Sequence, residues 1–392
     1  MAFHKFRADQ LFDGYHLLDD RHVLITTEEG VIEQIADISD AGDDVQSFNG
    51  ILSPGFINCH CHLELSHMKD YISEKTGLIK FVSQVIKDRH FAEAEILSEI
   101  EKAETEMLNG GIVAVGDICN NILTIPQKAR ERLKYHNFIE ASGFLPQLAE
   151  ARFKRSLDFF NAYAGQYSDP SSSNSIVPHA PYSVADELWE LIVHFPGNRL
   201  MTIHNQEIEA ENEWFILKEG ALKELYSALD IDTSFFKPSG KSSLQTYLPK
   251  FLPGQSVILV HNVHTSEEDL KFSQSPIVNC LLFWCLCPNA NQYISGQLPP
   301  IDLMIKHNCQ IVLGTDSLAS NHQLSILEEI KTIQNNFRHI ELETIFRWAT
   351  SNGAKALQVD DVLGSFDPST SLRRKPGIVL IENDLSSCRR LA

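Results

Sequence analysis

Ser53-Pro54-Gly55-Phe56-Ile57-Asn58-Cys59-His60-Cys61-His62 is an apolar strand that ends in two histidines one residue apart. In an extended chain alternate side chains share a face, so His60 and His62 point one way while Cys59 and Cys61 point the other. Two imidazoles on one face offer a metal ion two of its ligands. A lone His-x-His couple is more often packing or surface, so the weight comes from what recurs downstream. Further His and Asp residues stand at the ends of later apolar runs.

Outward from this stretch the chain alternates apolar strands with amphipathic helical segments. The strand candidates are 51–62, 112–119, 137–143, 175–183, 200–207, 256–264, 280–289 and 310–317. Between them lie helical patterns such as 92–108, closed by Gly110-Gly111, and 324–337. Continuous apolar strands flanked by helices imply a parallel sheet covered on both faces. Eight such units closed on themselves make an α/β fold of the (β/α)8 TIM barrel type, with its site at the carboxyl ends of the strands. Polar residues should then cluster where each strand finishes, and His60, His62, His179, His204, Glu207, His261 and Asp316 do. Residues 1–50 read as a small β unit with strands at 5–12, 23–27 and 31–35, and the tail at 375–381 reads as a strand that can return to it.

Two segments read as irregular. One is 164–175, with Ser171-Ser172-Ser173; the other is 230–250, which lies on the catalytic side of such a barrel and is expected to cover the pocket as a lid. Gly240-Lys241-Ser242 resembles the end of a phosphate-binding loop, but Phe235 stands where that loop needs glycine.

The 392 residues carry 52 acidic and 33 basic side chains, a net charge of −19. That balance excludes a nucleic acid polymer as partner, which needs clustered Lys and Arg. The longest apolar run, 281–286, is far too short to span a bilayer, and the first residues do not read as a secretory signal. No membrane partner is expected, and the location expected is cytoplasmic. The eight cysteines, mostly inside apolar runs, read as reduced and buried rather than as a disulfide framework.

A catalytic metal site takes three or four protein ligands and keeps a position for water. His60, His62, His204 and Asp316 supply that set, which suits zinc; iron, manganese or nickel would accept the same donors. Glu207, three residues after His204, can move a proton from water to a substrate nitrogen. Alone it would read as a solvated loop acid beside Glu209, Glu211 and Glu213. His261 directly follows a strand and can orient the water, whereas His264 reads as structural. Asp316 ends the eighth strand, where a buried carboxylate requires a cation or hydrogen bonds.

The chain resembles the amidohydrolase superfamily, and within it the deaminase branch. The resemblance rests on 54–62, on Pro178-His179-Ala180-Pro181-Tyr182-Ser183, and on His204-Asn205-Gln206-Glu207. It continues through His261-Asn262-Val263-His264, Cys287-Pro288-Asn289-Ala290-Asn291 and Gly314-Thr315-Asp316-Ser317-Leu318-Ala319-Ser320-Asn321. It implies the barrel (51–357), a β-sandwich built from both chain ends (1–50 and 358–392), and one divalent metal on His60, His62, His204 and Asp316. Superfamily members with two metals bridge them by a carboxylated lysine on the fourth strand. None stands in 175–183, so a single ion is expected, with Glu140 either a bridging ligand or a salt-bridged barrel residue.

The implied mechanism has the metal lower the pKa of its water towards about 7. His261 and Asp316 hold the hydroxide and Glu207 protonates a ring nitrogen, so that ammonia leaves an amidine-like carbon. The run His62-Leu63-Glu64-Leu65-Ser66 looks most like the aminodeoxyfutalosine and nucleoside-type members. Glu64 and His179 would then contact a small heterocyclic amine or nucleoside, and Lys75, Lys80 and Arg89 are candidates to meet a carboxylate. The alternatives are a chlorohydrolase or amidohydrolase on a related ring, and a non-catalytic scaffold on the same fold. A homo-oligomer is compatible with the sequence, which does not set the number of copies.

Overall fold

A computed structural model of the protein describes residues 3–165, 174–368 and 375–391; the serine run at 171–173 lies outside them. The eight strand candidates all appear, as β1 Phe56–Cys61, β2 Ile112–Cys119, β3 Lys134–Ala141, β4 Asn174–Pro178, β5 Leu200–Asn205, β6 Ser256–His261, β7 Leu281–Leu286 and β8 Ile311–Leu313. β1 to β4 form one parallel sheet and β5 to β8 another. The two sheets meet at both edges. At one, the His204 N–H donates to His179 O at 3.0 Å and Ser175 Oγ to Leu200 O at 2.6 Å. At the other, Cys61 bridges Asp316 in parallel, and the N–H groups of Thr315 and Asp316 both donate to His60 O at 3.0 Å. These two seams close the ring.

Helices flank the strands, among them Leu78–Asp88, Glu93–Asn109, Ala149–Ala164, Ile326–Asn336 and Leu342–Ala349. Their apolar faces join the strands in one core; Ile100 and Met107, two turns apart on the second helix, are both fully buried. No helix among the described residues is long and apolar enough to cross a membrane.

Two expected strands are each broken in two. The stretch 51–62 turns at Gly55, whose N–H donates to Pro376 O at 3.0 Å and where a Cβ would collide with Val113. Ile51–Pro54 therefore leaves the barrel and pairs with Ile378–Ile381 and with Gln10–Phe12. The stretch 5–12 breaks at Asp9, whose carboxylate accepts from the Gly50 N–H at 2.8 Å and Asn383 Nδ2 at 2.7 Å. Its halves, Phe3–Arg7 and Gln10–Phe12, enter different sheets. Phe6 and Leu24 of one sheet pack on Leu11, Leu52, Ile378 and Leu380 of the other, so the two chain ends make a sandwich around a second core. Strand ends read too long from sequence turn early: 175–183 stops at Pro178 before a 3-10 turn, and 280–289 gives way to the helix Pro288–Ile294.

The seam between β1 and β8 is tight because of Gly314. A Cβ there would lie 2.8 Å from His60 Cβ and 2.9 Å from Cys285 Sγ. Gly314→Ala is expected to cost about 1–3 kcal/mol by overpacking and to weaken metal uptake, measured by denaturant unfolding and zinc titration; unchanged values for both would contradict this packing.

Candidate active site

His60 near the end of β1, His62 just beyond it, His204 in β5 and Asp316 after β8 place ligand atoms within 4.8 Å of one another. All four side chains are buried. The Nε2 atoms of His60 and His62 are 3.2 Å apart, and Asp316 Oδ1 lies 3.5 Å from the first and 3.4 Å from the second. Such separations match the edge of a tetrahedron whose corners stand about 2.1 Å from its centre, the distance at which nitrogen and oxygen hold zinc. The donor set and its spacing fit a single divalent ion.

Two of the ligands, His204 and Asp316, are held from behind. His204 Nδ1 lies 3.0 Å from His179 O and 3.6 Å from Glu140 Oε1. A proton on Nδ1 satisfies the carbonyl and leaves Nε2 as the free nitrogen, the usual second-shell device at a metal. Glu140, His179 and His204 also lie within 4.8 Å of one another. With Nδ1 of His204 already committed to the carbonyl, a second ion there would need an imidazolate. Asp316 Oδ2 accepts from Ser320 Oγ at 2.6 Å. Asn58, inside the first motif, donates to Thr315 Oγ1 at 2.8 Å and accepts the Thr315 N–H at 3.1 Å, tying β1 to the turn that carries Asp316. Its role was not legible, since an Asn in a strand reads as a filler.

His261 and Glu207 stand beside the cluster, with Nε2 and Oε1 3.7 Å apart. Asn291 Nδ2 donates to His261 Nδ1 at 3.0 Å, which sets the tautomer with its proton on Nε2, towards Glu207. Burial and the neighbouring His60 and His62 lower the His261 pKa to about 3, against some upward pull from Asp316. His204 is likewise held well below the ordinary histidine range by burial and four surrounding imidazoles. Burial raises the Glu207 carboxyl well above its usual value, and the charges of Asp316 and Glu211 push the same way. Burial works to raise Asp316 too, but the hydrogen bond from His60 and the nearby His62 and His261 outweigh it and hold that carboxyl well below the usual range.

The backbone at the mouth is strained. Gln206, His261, Asn262 and Asp316 have φ of 46°, 74°, 60° and 57°, a left-handed region that residues with a Cβ seldom adopt. Hydrogen bonds overdetermine it: Asn262 Nδ2 donates to Leu259 O at 2.8 Å and Cys285 O at 3.1 Å, and Asn205 Nδ2 donates to Asn262 Oδ1 at 2.9 Å.

A cavity of about 250 Å³ opens over these groups. Glu64 and His179 both line it, together with His62, His204, Glu207, His261 and Asp316. The expected lid does not cover it. Phe144, Phe235 and Phe236 instead line a neighbouring cavity, and Lys218 Nζ ties the loop down through Thr233 O at 2.6 Å and Phe236 O at 2.9 Å. The helix Leu78–Asp88 supplies the catalytic cavity's apolar wall through Leu78, Phe81, Val82 and Val85. Of the three basic candidates only Arg89 lines the cavity; Lys80 is exposed and Lys75 lines a separate polar hollow beside Tyr293 and His322. Arg152 and Arg155 join Arg89 from the helix Ala149–Ala164. Three apart, they share a helix face.

Asn120, also unread in the sequence, links two buried carboxylates. Its backbone N–H donates to Glu64 Oε2 at 2.9 Å and its Nδ2 to Glu140 Oε2 at 2.8 Å. The Oε1 atoms of Glu64 and Glu140 are buried without a hydrogen-bond partner. Both residues line one wall of the cavity.

The sequence matches the family model described as the amidohydrolase family over residues 51–369. It is 28% identical over 326 residues to an adenosine deaminase of Helicobacter pylori, spanning 80% of this chain and 76% of that protein. With a 5-methylthioadenosine/S-adenosylhomocysteine deaminase of Teredinibacter turnerae it shares 25% identity over 351 residues, 86% of this chain and 72% of the relative. In structure it resembles Helicobacter pylori aminofutalosine deaminase in complex with methylthio-coformycin, at a TM-score of 0.78 and 23% identity, over 97% of this chain and 92% of that one.

Burial also sets how stability depends on pH. Glu64 and Glu211 are raised to about 7 and Glu329 to about 8, each mainly by burial. The folded protein thus keeps protons that the unfolded chain releases, and stability falls as pH rises through this range. The depressed His204 and His261 act oppositely, but their contribution is complete above the ordinary histidine value of 6.5. The Tm of metal-free protein is therefore expected to fall from about pH 6.5 to about 8.5 in calorimetric scans; a flat or rising Tm would refute this balance.

Proposed function

The chain belongs to the amidohydrolase family, hydrolases of carbon–nitrogen bonds other than peptide bonds, and from that premise we propose that it is a metal-dependent hydrolytic deaminase of adenine nucleosides. The observation that carries this reading is Glu207, a buried carboxyl with its pKa raised, 3.7 Å from His261 and beside the four-ligand cluster. The names of the relatives support it as well. Convergence of all four ligands speaks against a non-catalytic scaffold.

His60, His62, His204 and Asp316 would hold the ion, and zinc suits their two chemistries best. Bound there, a divalent ion supplies the Lewis acidity that makes water nucleophilic at neutral pH. Glu207 takes a proton from that water and gives it to the ring nitrogen next to the reacting carbon. A carboxyl whose hold on a proton is strengthened by burial suits this relay between water and ring nitrogen. His261, neutral and with Nε2–H turned inward, steadies the attacking oxygen. The second proton goes to the exocyclic amine, the carbon–nitrogen bond breaks, and ammonia and the ring lactam leave. Water is excluded on one side by Leu78, Phe81 and Val85.

The finer substrate reading comes from the remaining lining. The carboxyl groups of Glu64 and Glu140 suit two hydroxyl donors, as on a ribose, and His179 lines the same cavity as a third contact. Arg89, Arg152 and Arg155 suit a carboxylate on the 5′ substituent. Aminodeoxyfutalosine and S-adenosylhomocysteine both carry one. The eight free cysteines suit a reducing, cytoplasmic setting.

An ammonia-release screen of zinc-loaded protein over adenosine, the two carboxylate-bearing nucleosides, guanine and cytosine tests the reading. Release from the nucleosides supports it, and chloride release or amide opening without ammonia overturns it. Glu207→Gln is expected to keep its metal while losing about a thousandfold or more in kcat, whereas His204→Ala loses metal; equal metal loss would contradict the separate roles. Replacing Arg152 and Arg155 together by Gln should raise KM about tenfold or more for the carboxylate-bearing nucleosides and leave adenosine unchanged.

A further inference from the structure

Asp117, in β2, is fully buried and takes no part in the chemistry above. Its Oδ2 lies 2.5 Å from Lys128 Nζ, and Lys128 is buried as well. The ammonium also donates to Asn137 Oδ1 at 2.7 Å and to Cys119 Sγ at 3.3 Å, and it stands 4.9 Å and 5.1 Å from the ring centres of Tyr135 and Tyr163. An ion pair inside a barrel wall is a poor source of stability, because apolar side chains of similar volume usually serve as well. Its other oxygen indicates what it serves. Asp117 Oδ1 accepts the N–H of Leu63 at 2.8 Å.

Leu63 stands between His62 and Glu64 and opens the 3-10 turn Leu63–Met68. The first N–H groups of a helical turn have no partner within it. Asp117 supplies that partner, and three residues further along Asn120 binds Glu64. The end of β2 thus grips the two residues that directly follow His62.

We infer that Asp117, fixed by Lys128, is a positioning residue that sets where the His62 imidazole meets the ion. Lys128 engages one carboxylate oxygen and so keeps the other aimed at the Leu63 N–H. It also balances a negative charge that would otherwise lie buried near the cluster. The inference rests on the metal-site reading but not on the identity of the substrate.

The test uses pairs of substitutions, since removing one partner would strand the other's charge. D117N/K128M removes both charges and keeps an amide oxygen for the Leu63 N–H. D117L/K128M fills the same space with no acceptor. Zinc affinity is measured by competition with a chromogenic chelator, and folding by circular dichroism and Tm. D117N/K128M is expected within about threefold of wild type, while D117L/K128M binds zinc about 10–100-fold more weakly at similar Tm, the range for loss of a second-shell partner. Equal zinc affinity in the two variants overturns the inference. If D117L/K128M does not fold, Asp117→Glu replaces it, because it keeps the charge pair and moves the acceptor. Weaker zinc binding by Asp117→Glu then supports the inference, and unchanged binding overturns it. A wild type that binds no zinc brings down the metal reading itself, and this inference with it.

Discussion

Gly314 lets β8 lie so close to β1 that one added carbon would press on His60 Cβ at 2.8 Å, and the same seam carries the Cys61–Asp316 bridge. Closing a ring of strands and assembling the ligands are here one event. His60 offers its carbonyl to the N–H groups of both Thr315 and Asp316 while its side chain enters the cluster. Asn58 pins the same crossing through two hydrogen bonds to Thr315. The barrel's last hydrogen bonds and the site's first geometry are therefore inseparable. The strained backbone at Asp316 and His261 is tolerable because the seam and its polar latches leave those residues no alternative.

The closed ring then acts on charge. Taking imidazoles and carboxyls out of water favours the neutral form of each, which pushes histidine and glutamate in opposite directions. His261 ends near 3, so its imidazole is neutral at physiological pH, and burial raises the Glu207 carboxyl well above its ordinary value. Groups driven apart in this way can take separate acid and base duties within a few ångströms. Asp316 is the exception, since the histidines around it favour its charged form and make it the anionic member of the cluster.

Much of this could be read in the residues themselves. Alternation put His60 and His62 on one face, and the strand-end rule found His204, His261 and Asp316, because both follow from backbone geometry alone. Glu207 was legible through its spacing from His204. Asn120, Arg152 and Arg155 were not: they follow strands at distances no periodicity fixes, and on a helix two arginines three apart look like any solvated face. Arg89 was one of three basic candidates that only the fold could separate. The breaks at Asp9 and Gly55 were missed for a similar reason. Each depends on a partner from the far end of the chain, Asn383 and Pro376, so local pattern continues smoothly through both. The lid expected at 230–250 belongs to a different hollow because Lys218 ties it there.

The pairing of Ile51–Pro54 with Ile378–Ile381 bears on how the molecule is made. During synthesis on the ribosome all eight barrel strands emerge before the strand that braces the foot of the first one is translated. Until those last residues leave the exit tunnel, the edge of Ile51–Pro54 that faces them stays open, a template for another nascent chain. Synthesis of Ile378–Ile381 caps that edge, so a chain that stops short of this strand is sticky even though every ligand has already been made.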